Sequence, residues 1–182
     1  MLPSRMVVKH ARLKPDVSEN DHADGAANAA VTLVEFGDFE CSHCGEAHLI
    51  VKEIQRRLRG KLRFVFRNFP LTHTHQHALP AAEAAEAAAA QGKFWQMHDA
   101  LFEHQRRLGD RQLVRYAAMI GLNGARFAAD METHAHQGRV QEHVDSGLSS
   151  GVHATPTFFI NGVRYDQSWD VDSLTAALKA AL

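Results

Sequence analysis

The stretch Val31-Thr32-Leu33-Val34-Glu35-Phe36-Gly37-Asp38-Phe39-Glu40-Cys41-Ser42-His43-Cys44 changes character twice. Its first six residues are apolar and β-branched and stop at Gly37, the pattern of a buried strand. From Ser42 to Arg59, apolar residues recur at Ala47, Ile50, Val51, Ile54 and Leu58, a helical spacing closed by Gly60. A strand running into a helix leaves Cys41 at the helix N-terminus. Unpaired backbone N–H groups and the positive end of the dipole favour an anion there. The pattern therefore predicts a lowered pKa for Cys41 and a reactive thiolate. Cys44 lies three residues on, on the same face, within reach of a Cys41–Cys44 disulfide and with its sulfur facing inward. Cys41 is expected to attack a partner's disulfide, or to be attacked as part of one, and Cys44 to resolve the mixed disulfide. His43, beside the thiolate, is expected to lower its pKa further as a cation or hydrogen-bonding group.

Downstream, Lys61 to Phe69 alternates Leu62, Phe64 and Phe66 with Arg63 and Arg67, a second strand ended by Pro70. From His77 to about Gly151 the signal is all helix. Ala81 to Ala90 holds eight alanines, Lys93 to Leu108 repeats apolar residues at helical spacing, and Asp110 is expected to cap a helix that stops at Gly121. Two shorter helices follow over 123–133 and 137–147. Thr157–Ile160 and Val163–Tyr165 then read as strands around Asn161-Gly162, a strong hairpin signal. Val171 to Leu182 closes as an amphipathic helix. Residues 1–28 read as an arm, with a short strand around Met6–Val8 and a loose stretch over Asn20–Gly25. The order βαβ, helical block, ββα predicts an α/β sheet with an all-helical insertion. Residues 29–75 and 152–182 make the sheet domain, and 76–151 the insertion.

With 182 residues the chain can build an ordinary core, and 45 % apolar residues exclude a disordered chain or a rod. Twenty basic residues against 21 acidic ones leave no basic excess, so no nucleic-acid partner is expected. No apolar run approaches the ~20 residues of a membrane span. The N-terminus carries Arg5, Lys9, Arg12 and Lys14 but no apolar core of a signal peptide, so a cytosolic protein is expected unless a leader has been removed. Two cysteines cannot make a disulfide framework, and a structural zinc would want ligands that a second pair would supply; no metal and no cofactor are expected. His73-Thr74-His75-Gln76-His77, in a chain with 13 histidines, has spacing that suits a transition metal but reads more simply as a solvated loop.

Taken together, Val31 to Cys44, Phe69-Pro70-Leu71, the alanine-rich helix, Phe94-Trp95-Gln96-Met97-His98-Asp99 and Thr155-Pro156-Thr157-Phe158-Phe159-Ile160-Asn161-Gly162 resemble the DsbA-like branch of the thioredoxin superfamily. The likeness covers about residues 20–182. It is also similar to the thioredoxin-like domains fused to some bacterial sodium/proton antiporters. The resemblance implies a thioredoxin fold, with Pro156 as a cis-proline facing the CxxC pair and the Thr155 backbone pairing with an extended substrate. It also implies that Glu35, six residues before Cys41, is the buried acid that serves proton transfer to Cys44; read from the residues alone, Glu35 could face water on an edge strand. Two positions depart from the family pattern: Ser42 stands where DsbA has proline, and Ala154 where many relatives have glycine. The expected activity is thiol–disulfide exchange with protein or peptide thiols and disulfides, recycled by glutathione or a thioredoxin-type system. The alternative from another class is a redox-sensing module that docks on a partner such as a transporter.

Overall fold

Alternation along three strands builds the two faces of one sheet. The computed structural model describes residues 11–182, so the strand expected around Met6–Val8 lies outside them. β1 (His22–Asp24), β2 (Val31–Gly37), β3 (Leu62–Asn68), β4 (Thr157–Ile160) and β5 (Val163–Tyr165) form a five-stranded sheet in the order β1-β3-β2-β4-β5. β2 and β3 are parallel, with Glu35 opposite Phe66; β4 is antiparallel to β2, with Phe158 opposite Glu35. Val31, Leu33, Phe64, Phe66 and Phe158 belong to a core beneath α1 (Ser42–Arg57), while Val34, Phe36, Val65 and Phe159 pack on the opposite face with Val152. The period of two puts Glu35 on the face of Leu33, towards α1.

The crossover from β2 to β3 is α1, as a parallel pair requires. The insertion is α2 (Ala78–Ala89), α3 (Phe94–Glu103), α4 (Asp110–Met119), α5 (Gly124–Glu132) and α6 (Gln137–Ser149), and α7 (Val171–Ala180) closes the chain. Asp110 is the first residue of α4 and Gly109 its N-cap, so the cap expected of Asp110 is absent. No helix among the described residues is long and apolar enough to cross a membrane.

The largest difference from the sequence reading lies before residue 29. The loose stretch of Asn20–Gly25 contains β1, which pairs antiparallel with β3. Three polar or small residues carry no strand signal; neighbours from distant parts of the chain make the strand. The His22 ring stacks on Phe94 at 3.7 Å and bonds Glu86 at 2.9 Å. Arg67, on β3 and buried, holds Asp21 through two bonds of 2.8 and 2.9 Å and takes the carbonyls of Pro15 and Asp16. This buried pair anchors the segment, because removing either partner would strand a charge.

Candidate active site

Cys41 is the N-cap of α1, in an extended conformation, with Ser42 the first helical residue. Both cysteines are free thiols; Cys41 is nearly buried and Cys44 wholly so. The helix end gives Cys41 its electrostatics. Its pKa is lowered from the ordinary thiol value to about 5, first by a hydrogen bond from the Cys44 thiol, then by one from Thr155 and by the backbone N–H groups of Cys44 and His43. Burial works the other way but is outweighed. The thiol of Cys41 also reaches the Thr155 carbonyl at 3.5 Å. The Thr155 hydroxyl is buried with no hydrogen-bond partner among the described residues. The Thr155–Pro156 peptide is cis. Cys44 behaves oppositely. Burial, its bond to Cys41 and the nearby Glu35 push its thiol well up.

Glu35 is only 2 % exposed, which removes the edge-strand reading: β2 lies between β3 and β4 in the sheet. Burial first, and the Cys41 charge second, push its carboxyl up to about 8. It is close enough to raise Cys44. A Cβ at Gly37 would meet the Phe66 ring at 2.5 Å and Glu35 Oε1 at 3.2 Å, so only glycine leaves room for both side chains. His43 sits differently from the expectation. Its ring is 67 % exposed and its nearest carboxylate is Glu46, at 3.8 Å. The part of His43 that acts on the sulfur is its backbone N–H.

Residues that the sequence reading did not single out hold the loop before the pair. Asp38 is buried; its N–H reaches Cys44 Sγ at 3.4 Å, and its carboxylate accepts from the N–H of Glu40 and of Leu71 and pairs with His75 Nδ1 at 2.8 Å. That ion pair raises the His75 pKa, and the Cys41 charge adds to it. Glu40 holds His77 by ring and backbone. Two members of the 73–77 histidine run are thus tied to carboxylates of this loop. From beyond α3, Gln105 Nε2 donates to the carbonyls of Phe39 at 2.9 Å and Cys41 at 2.7 Å. His48, His98 and Asp99 bring ligand atoms within 4.8 Å of one another, but Asp99 is already held by Lys52 at 2.7 Å and by His98. A nucleophile of depressed pKa beside a thiol of raised pKa, with a buried acid behind, is an arrangement for exchanging sulfur–sulfur bonds.

A family model described as thioredoxin matches residues 17–180. A curated relative, the Na(+)/H(+) antiporter NhaA 3 of Salinispora tropica, is 43 % identical over 163 residues, 90 % of this chain but 25 % of the antiporter. The chain thus spans about a quarter of the length of the curated relative that it matches. Among solved structures, oxidised BdbD from Bacillus subtilis superposes with a TM-score of 0.84 at 22 % identity, covering 94 % of this chain and 96 % of that one. A thioredoxin-like oxidoreductase from Silicibacter pomeroyi gives 0.79 at 26 % identity, covering 90 % and 93 %.

Proposed function

Since the chain belongs to the thioredoxin family and has the fold of its DsbA-like members, we propose that it is a thiol–disulfide oxidoreductase working through Cys41 and Cys44. The observation that carries the reading is the opposite displacement of two neighbouring thiols, Cys41 down to about 5 and Cys44 up. At neutral pH Cys41 is the thiolate. It attacks a substrate disulfide, forming a mixed disulfide and releasing one substrate thiolate. Cys44 then attacks Cys41, the Cys41–Cys44 bond forms, and the second substrate sulfur leaves with the electron pair. Glu35, having released its own proton, takes the Cys44 proton. The oxidised pair can run the same steps backwards and oxidise a dithiol. The substrates of this reading are protein or peptide thiols and disulfides lying along Thr155 and Pro156, with glutathione or a thioredoxin-type system closing the cycle.

Exchange with a disulfide reporter tests it. Cys41→Ala is expected to abolish exchange, and Cys44→Ala to trap a mixed disulfide on Cys41. Trapping on Cys44 in Cys41→Ala, or no exchange by the unaltered protein, would overturn the reading. The potential of the pair sets the direction, near about −270 mV for a thioredoxin-like reductant and about −120 mV for a DsbA-like oxidant. The match to one quarter of an antiporter favours a second reading, a redox-sensing domain that docks on a transporter. A sensor would react once per chain and stop, whereas an enzyme turns over with a recycling thiol present.

A further inference from the structure

His98, in the motif Phe94 to Asp99, has no part in the exchange described above, yet it is 3 % exposed and set among aromatic rings in the core. Its Nδ1 lies 3.0 Å from Asp99 Oδ1. A carboxylate can only accept, so Nδ1 carries the proton and Nε2 presents a lone pair. That Nε2 is buried and has no partner among the described residues. Glu35 Oε1 is in the same condition. Unpartnered buried polar atoms are rare, and each calls for an explanation. Here both residues line one small cavity of about 10 Å³, together with His48, Lys52 and Gln55. That is about the space of one water, which needs two or more polar partners. Glu35 as donor and His98 Nε2 as acceptor supply two.

We propose that one water in this cavity joins Glu35 to His98, and that Glu35, the water, His98 and Asp99 form the path by which the Cys44 proton travels to and from solvent. The proposal rests on the exchange reading above. When Cys44 attacks the mixed disulfide, the Cys41–Cys44 bond forms, the Cys41–substrate bond breaks, and the substrate sulfur leaves with the electron pair. Glu35 gives its own proton to the water, and the carboxylate so formed takes the Cys44 proton. The water gives a proton to His98 Nε2, and His98 releases its Nδ1 proton to Asp99. Asp99 is half-buried and hands the proton to bulk solvent. The opposite half of the cycle runs the path backwards and restores the Nδ1–H form. No oxidant beyond the substrate disulfide is required. The charged and titratable groups around the path are Cys41 at the N-cap and Cys44, His48 and Lys52 of α1, His98, Asp99 and Glu103 of α3, and His22 and Asp24 of β1, the last held by Gln55 at 2.9 Å. His98 is a positioning and relay residue: it touches neither sulfur nor substrate.

Nitrogen-15 NMR of the reduced protein reads the His98 tautomer directly. Nδ1–H with a bare Nε2 is expected, and the Nε2–H form would overturn the path. Stopped-flow kinetics then separates the two chemical steps in the unaltered protein and in His98→Gln. Glutamine hydrogen-bonds but cannot pass a proton on. Attack by Cys41 should keep its rate within about two-fold, while resolution by Cys44 slows by about 10²-fold and gains a dependence on base concentration, the size of a lost proton-transfer group. Resolution at the unaltered rate from about pH 6 to about pH 9 would overturn the proposal. If His98→Gln does not fold, the half-buried Asp99→Ala gives the second variant: slowed resolution with unchanged attack supports the path, and unchanged resolution sinks it. An unaltered protein that exchanges no disulfide sinks the parent reading instead, and the tautomer still tells whether the hydrogen-bonded chain exists.

Discussion

At Cys41, the neighbours that lower the thiol's pKa differ in how replaceable they are. The Cys44 thiol contributes most, and the N–H of His43 would be unchanged by a new side chain. Cys44→Ala is therefore expected to raise the Cys41 pKa clearly from about 5, whereas His43→Ser leaves the titration nearly in place; following the ultraviolet absorbance of the thiolate in both variants checks this. A large shift in His43→Ser would mean that the ring swings onto the sulfur in solution. The strand–helix junction and the three-residue gap are local, so both cysteines could be read as a pair from the chain. The remainder of their surroundings is not local. The Thr155 carbonyl comes from 114 residues away and the Asp38–His75 pair spans 37, and nothing in the composition near Cys41 announces either. For His43 the structure turns the ring towards solvent, because adjacency in sequence does not say which way a helical side chain points.

Among the elements, the loop between β2 and α1 is held from the insertion. Gln105 follows α3 and bonds two carbonyls of this loop, and a Cβ at Gly45 would overlap its Oε1. Gln105→Ala should cost about 1–2 kcal/mol, for two hydrogen bonds lost at a half-buried site. Gly45→Ala should cost a similar amount by expelling Gln105, and much less in the Gln105→Ala background. Urea denaturation of the four proteins measures the coupling, and strict additivity would show that the two positions do not communicate. Helices α1 to α7 and strands β2 and β3 were legible because their periods of 3.6 and 2 run for several residues, and β4 and β5 because Asn161-Gly162 marks the turn between them. β1 was not, because its three residues are placed by Glu86, Phe94 and β3 rather than by any pattern of their own.

For the molecule as a whole, the abundance of histidine becomes a stability statement. Burial holds His48 and His143 at about 4, and lowers His98. Between their unfolded value near 6.5 and these folded values, the unfolded chain binds more protons. The stability is thus complete above about 6.5 and is lost as pH falls towards about 4. The urea midpoint should drop steeply across that window. His143→Asn should flatten the drop, because an asparagine oxygen can still accept from the Asn68 N–H, which now reaches His143 Nδ1 at 3.1 Å. A profile as steep as before would move the acid sensitivity to other groups.

The topology also has a consequence for the timing of reactivity. On a ribosome, β2, α1 and β3 emerge long before β4, and the five helices of the insertion lie between them. A nascent chain holding only the first half has its two sulfurs but lacks Thr155 and Gln105. Contacts of such long range form late, since loop closure must come before they stabilise anything. Until the last strands dock, the sulfurs therefore have only each other and the N-terminus of α1, and the substrate-facing side of the pair is missing. An electron-exchanging centre divided between the two ends of its own fold is finished only when that fold is.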